Sequence, residues 1–454
     1  MANYMARALV AACALVSGML FAAERPAIIA AAPYDTSGGD LLLRCGRLID
    51  GLAPDAATNR DILIEDGVVI SVGTGLDVPP DVPVLSLPDH TCLPGLIDMH
   101  THIVEPLEDD YDLEIYLERS AAENLEHARR IARTTLETGF TTVRNVGVYY
   151  GWTSRTLRDE IAAGLTIGPR MHVAGFYLTI PGGGGDLLIP GIDEADIPVH
   201  VRMGVARGPD QFRAKARAAV DGGADVLKVI ASGAVLAYGG VPGSPEMTPA
   251  EIRAVVEVGK AAGIPVTAHA HGAQSIRDAI LAGVDTIEHA SLIDDEGIRL
   301  AIEHDVALSM DVYNGDWIAV EGRRQNWPEE FLRKNDETAL IQRQNFRKAH
   351  AAGVPIVYGT DAGVFPHAYA ARQFAYMVEW GMTPMEAIKA ATSVAARYLK
   401  DGESLGALQQ GHIGDVVAVR GDPLTDISIL EQIDTVIRGG RVFKAPAAPT
   451  GDLP

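Results

Sequence analysis

From residue 94 to about 400, short apolar runs alternate with longer stretches of helical period. The runs are Leu96–Met99, Thr141–Asn145, Met171–Ala174, Val226–Ile230, Pro265–Ala268, Thr286–Glu288, Ala307–Met310 and Ile356–Tyr358. Their length suits buried strands, and several helical stretches end in Ala-Gly or Thr-Gly. Gly139, Gly223, Gly263, Gly283 and Gly353 stand just before five of the runs, as expected where a helix C-cap feeds a strand. Eight strand–helix units in succession predict an α/β fold, a closed (β/α)₈ TIM barrel.

The ends of the chain have a different texture. Leu41–Leu43, Asp61–Glu65 and Val68–Val72 alternate apolar and polar positions, and Asp66-Gly67 and Gly73 punctuate them as turns. The same texture returns at Asp415–Val419, Thr435–Arg438 and Arg441–Phe443. Neither end is large enough to bury a core alone, so the two are expected to join in a small β-sandwich beside the barrel. The expected organisation is a leader over 1–32, sandwich segments over 33–93 and 401–447, and the barrel over 94–400.

At 454 residues, with 47% hydrophobic and 22% charged, the chain has the composition of a soluble globular protein with a sizeable core. Its formal charge of −22 repels phosphates, which argues against nucleic acid or an anionic membrane as partner. Cys13, Cys45 and Cys92 are too few for a disulfide framework or a cysteine-based zinc site. If Cys13 leaves with a leader, only Cys45 and Cys92 can pair. Arg7 followed by an uncharged run from Ala8 to Ala23 has the form of a signal peptide and is short for a bilayer span. The expected product is exported, periplasmic or secreted, and begins between residues 23 and 36.

Candidate chemistry lies where polar residues interrupt the barrel runs. His100 and His102 fall at and just past the first strand, and a spacing of two puts both on one face, as a divalent metal requires. Lys228 sits inside Val226–Ile230, where an unpaired ammonium is costly. It must pair, lose its proton or be chemically altered, for instance to a carbamate that bridges two metals. His269, His289 and Asp361 follow the fifth, sixth and eighth runs. All C-terminal strand ends of a barrel meet on one face, so the set converges there. His271, two residues past His269, is a candidate to touch substrate or to support the ligands. Tyr238, in the loop after the fourth run, is a candidate donor to a developing oxyanion. His90, His127, His350 and His412 read as structural or solvated.

These stretches resemble the amidohydrolase superfamily, in its binuclear prolidase-like and imidazolonepropionase-related branch. The resemblance rests on Leu93-Pro-Gly-Leu-Ile-Asp-Met-His-Thr-His102, Val226-Leu-Lys-Val-Ile-Ala-Ser-Gly233, Val266-Thr-Ala-His-Ala-His-Gly272, Asp285-Thr-Ile-Glu-His289 and Tyr358-Gly-Thr-Asp-Ala-Gly-Val-Phe-Pro-His367. It extends to Gly411-His-Ile-Gly-Asp415 and Asp422-Pro423 near the C-terminus. It implies two divalent metals, most simply Zn²⁺. One is held by His100, His102 and Asp361 and the other by His269 and His289, with Lys228, carbamylated by carbon dioxide, as the bridge. It further implies a metal-activated hydroxide with Asp361 as general base and then acid.

The implied activity is hydrolysis of the amide bond of a dipeptide or N-acyl amino acid, a small-molecule substrate. A lactone, cyclic amide or ester on the same centre is the alternative, and a non-catalytic scaffold is disfavoured because all six ligands are present. Where the dipeptidase branch often has Gly-Gly-His-Gly, this chain has Pro181-Gly-Gly-Gly-Gly-Asp186, read as a flexible rim loop, and the missing imidazole weakens any transfer of specificity. Phe365-Pro-His-Ala368 is a second departure, where a glycine is usual after the histidine. No nucleic acid and no membrane span are expected, and a homo-oligomer is left open.

Overall fold

A computed structural model describes residues 38–77, 80–105 and 111–446. The expected leader lies outside the described residues. Four strands come first: β1 (Leu41–Leu48), β2 (Ala57–Glu65), β3 (Val68–Gly73) and β4 (Val84–Pro94). Eight shorter ones follow: β5 (Leu96–Thr101), β6 (Phe140–Asn145), β7 (Arg170–Val173), β8 (Leu227–Ile230), β9 (Val266–Ala270), β10 (Thr286–His289), β11 (Ala307–Ser309) and β12 (Ile356–Val357). The last three are β13 (Val416–Arg420), β14 (Thr435–Arg438) and β15 (Arg441–Lys444).

β5 to β12 form the barrel as two parallel ladders, β5-β6-β7 and β8-β9-β10-β11-β12. The first seam closes through Leu178, whose amide donates to Lys228 O at 2.9 Å while its carbonyl accepts from Ile230 N at 2.9 Å. The second closes where Met99 N donates to Tyr358 O and Asp361 N to His100 O, both at 2.8 Å. Every residue of β5, β6, β8, β9 and β10 is buried, because helices cover the outside and side chains fill the inside. The five glycines expected at helix ends all have positive φ, which only glycine adopts without steric penalty. Among the described residues no helix is long and apolar enough to cross a membrane.

The two ends of the chain join as expected, and their ladder is one seven-stranded sheet in the order β15-β14-β13-β4-β1-β2-β3. Its centre, β4, was not evident in the sequence, because Pro88-Asp-His90 breaks the alternation. Pro88 fits because the pairing of β4 with β1 shifts register between Cys45 and Arg47, and pairing with β13 begins only at His90. Gly46 fills the bulge: a Cβ there would stand 1.9 Å from Pro88 O. Cys45 and Cys92 form a disulfide between β1 and β4, with Cα atoms 6.0 Å apart.

Candidate active site

The candidate ligands gather at the C-terminal rim of the barrel. His100 Nε2 and His102 Nε2 lie 3.3 Å apart, and both face Asp361 Oδ1, at 3.2 and 3.1 Å. The chain turns sharply to achieve this. Asp361 and His289 both have left-handed backbone, at φ 60° and 69°, uncommon for residues with a Cβ and often found at functional sites. Gly363, at φ 118°, lets the loop pass where a Cβ would come within 2.6 Å of His102 Cβ. His100, His289 and Asp361 present ligating atoms within 4.8 Å of one another, and so do His269, His271 and His289. Lys228 lies among them on β8, 2% exposed, and its Nζ has no hydrogen-bond partner among the described residues.

This donor set fits a pair of divalent cations: imidazole nitrogens and a carboxylate oxygen crowd together, and a buried amine is left orphaned beside them. The sequence-predicted ligands His100, His102, Lys228, His269, His289 and Asp361 are thus brought together. His271 joins them, with its ring stacked on His289 at 4.5 Å and its Nδ1 2.8 Å from Ser291 Oγ. Tyr238 does not line the cleft. Its ring packs on Phe331 at 4.7 Å, held there by the loop that also sends Ala237 O to Lys334 Nζ.

Carboxylates stand behind two of the imidazoles, an arrangement that the sequence alone does not reveal. Glu288 Oε2 is 2.9 Å from His100 Nδ1, and Asp311 Oδ1 is 3.0 Å from His289 Nδ1, which leaves Nε2 of each ring for a metal. Glu288 is itself anchored inside the barrel by Arg144 Nη2 at 2.6 Å and by the hydroxyls of Thr267 and Thr286. Asp311 accepts from Gln342 Nε2 at 2.7 Å and Asn314 Nδ2 at 3.0 Å. Gln342 comes from the long helix Glu329–Ala352, which braces this side of the rim. Arg144 and Glu288 were visible as charges inside apolar runs, the signal that singled out Lys228.

Electrostatics follow from this packing. Burial and Lys228 oppose charge on His100, but Asp361 and Glu288 outweigh them and hold it at about 9. Burial takes His269 and His271 well below the usual histidine range, into the neutral state that ligates metals. Burial also pulls Lys228 down to about 8, against the attraction of Glu288 and Asp361. Asp361 lies well below the usual carboxylate range, because His100 and His102 overcome its burial.

The cleft above the ligands is walled by Tyr111, Leu113, Tyr149, Val235, Leu236 and Ile318. Tyr177 reaches from this wall to His102 Nδ1 at 3.1 Å and donates to Glu105 at 3.2 Å. Glu105 also accepts from Tyr116, yet burial pushes its carboxyl up to about 7. The glycine run expected to be a flexible rim loop is packed instead. Gly182 N donates to Asp186, which Arg202 clamps with two nitrogens at 2.7 and 2.6 Å, and Gly184 and Gly185 form part of the cleft wall. Of the histidines read as structural, His90 pairs with Asp434 and His350 with Glu386, both away from the rim.

The amidohydrolase family model matches residues 91–443. The chain is 29% identical to an ochratoxinase of Aspergillus niger, an alignment covering 90% of this chain and 88% of that protein. Its structure is similar to that of a Xaa-Pro dipeptidase with methionine bound in the active site. The TM-score is 0.83 and the identity 35%, over 90% of this chain and all of that one. It is also similar to a prolidase complexed with N-methylphosphonate-L-proline, with a TM-score of 0.83 and 27% identity over 89% and 100% of the two chains. The match spans the barrel and β13 to β15 together, and the chain belongs to the amidohydrolase family.

Proposed function

We propose that the protein is an exported amide hydrolase that cleaves a dipeptide or an N-acyl amino acid. The observation that carries this is the convergence of His100 Nε2 and His102 Nε2 on Asp361 Oδ1 beside the orphaned amine of Lys228. His100, His102 and Asp361 would hold one zinc ion, and His269 and His289 the other. Lys228, as a carbamate, would bridge them. When bound, the two ions supply acidity to water and polarise the carbonyl under attack.

The chain's own residues do the rest. Asp361 takes a proton from water and delivers it to the departing nitrogen, so that the C–N bond breaks to an acid and an amine. Asn314, at 2.9 Å from Asp361 Oδ2, keeps that carboxylate from rotating while it does so. The tyrosines and aliphatic side chains of the wall suit an apolar acyl group or side chain and exclude water from it. The Cys45–Cys92 disulfide supports export, since such bonds persist in oxidising compartments.

The test is a steady-state panel of dipeptides, N-acyl amino acids, lactones and aryl esters on zinc-loaded protein. The highest kcat/KM is expected on an amide with an apolar acyl group. A preference for lactones or esters with no amide turnover would overturn the reading.

A further inference from the structure

Asn314 has its bonding only half complete. It opens the short helical turn Asn314–Trp317 and is 4% exposed. Its Nδ2 donates to Asp311 Oδ2 at 3.0 Å and to Asp361 Oδ2 at 2.9 Å, which ties together the carboxylates on the two sides of the ligand cluster. Both neighbours are acceptors, so the amide nitrogen must face them and the oxygen must point elsewhere. Among the described residues that oxygen, Oδ1, has no hydrogen-bond partner, although Asn314 lines the cleft. The turn is held in place: Asn314 N donates to Asp311 O at 3.1 Å, and Asn335 Nδ2 to Gly315 O at 2.9 Å. A buried acceptor kept unpaired by a rigid frame is costly, and it marks a place where a ligand brings the donor.

We infer that Asn314 Oδ1 accepts the N–H of the scissile amide while Nδ2 fixes Asp361, so that this site is built for secondary amides. This rests on the amide-hydrolase reading above. On this inference the scissile nitrogen has two neighbours at once: Asn314 Oδ1 accepts its hydrogen, and Asp361, held by Asn314 Nδ2 at 2.9 Å, delivers the proton to its lone pair. Water's oxygen goes to the acyl carbon, the C–N bond breaks, and the amine leaves with its original hydrogen and the proton from Asp361. The nitrogen of an Xaa-Pro bond carries no hydrogen and leaves Oδ1 unpaired. This chain should therefore favour non-proline bonds.

The experiment compares N-benzoylphenylalanine, its N-methyl amide analogue and the ester in which oxygen replaces N–H, on wild type and Asn314→Ala with zinc content measured in both. Asn314→Ala should lower kcat/KM on all three through Asp361. It should lower the secondary amide by about 10- to 100-fold more than the other two, the effect of one lost hydrogen bond to a buried acceptor. Asn314→Ser, which removes Oδ1 but leaves a hydroxyl in the pocket, is the second variant should Asn314→Ala fail to retain metal, and it should show the same selective loss. Equal losses on all three substrates would mean that Asn314 acts only through Asp361 and that Oδ1 serves at most a water, and the inference falls. A wild type that cleaves the ester but neither amide overturns the inference together with the amide reading. A wild type that cleaves both amides at equal rates overturns the inference alone.

Discussion

Arg144→Met tests whether the ligand cluster is supported from inside the barrel. Arg144 is 0% exposed and spends three nitrogens on fixed acceptors: Met99 O at 2.7 Å, Thr286 Oγ1 at 3.0 Å and Glu288 Oε1 at 2.6 Å. Methionine fills much of the same volume but leaves Glu288, also 0% exposed, as a carboxylate that has lost its guanidinium partner. Breaking one side of a buried pair typically costs about 3 to 5 kcal/mol, mostly the penalty of the stranded charge. Here the hydroxyls of Thr267 and Thr286 and the His100 ring at 2.9 Å still face Glu288, so about 3 kcal/mol is expected. If a stranded charge is the cause, adding Glu288→Gln to Arg144→Met should recover about 2 kcal/mol, since a neutral amide needs no counter-ion. The assay is urea unfolding of metal-free wild type, both single variants and the double variant. A loss below about 1 kcal/mol for Arg144→Met, or a double variant that is simply additive, would mean that removing Arg144 strands no charge on Glu288.

Asp361→Asn keeps the shape but cannot accept a proton, so kcat should fall about 100- to 10,000-fold with little change in substrate affinity; a variant that binds two metals and keeps a tenth of wild-type kcat rules out the assigned role. Glu105 has its folded value raised from 4.5 to about 7, so its contribution to stability is full below about pH 4.5 and is lost as pH rises through 7. Glu105→Gln should therefore gain about 2 to 3 kcal/mol on wild type between pH 5 and pH 8, read from unfolding at both; an unchanged difference contradicts the buried-carboxyl reading. Cys45→Ser with Cys92→Ser should lose about 2 to 4 kcal/mol, because the bond closes a loop of 47 residues. Rapid thiol labelling of native wild type without reductant would contradict the bond.

The barrel and its candidate ligands were legible because one physical rule generates both. Buried strands must be apolar, so each polar residue in or just past a run such as Val226–Ile230 is conspicuous, and the barrel brings strand ends together. What supports the ligands was less legible, because the pairings span great distances along the chain. Arg144 meets Glu288 from 144 residues away, and Asn314 meets Asp361 from 47. Local pattern cannot supply those partners. Tyr238 failed to reach the cleft for a related reason: its place depends on Phe331 and Lys334, residues of a helix that sequence spacing does not relate to the loop. The glycine run looked mobile because glycine permits mobility, yet Arg202 and Asp186 fix it from outside the run.

Six residues delivered by five barrel strands would hold the two metal ions on which amide hydrolysis depends. The most direct measurement is a titration of metal-free protein with zinc in the presence of bicarbonate, following turnover of an N-acyl amino acid. Activity should be absent without metal and should rise to a plateau at two equivalents per chain. Full activity in rigorously metal-free protein, or a plateau at one equivalent, would rule out catalysis by a metal pair.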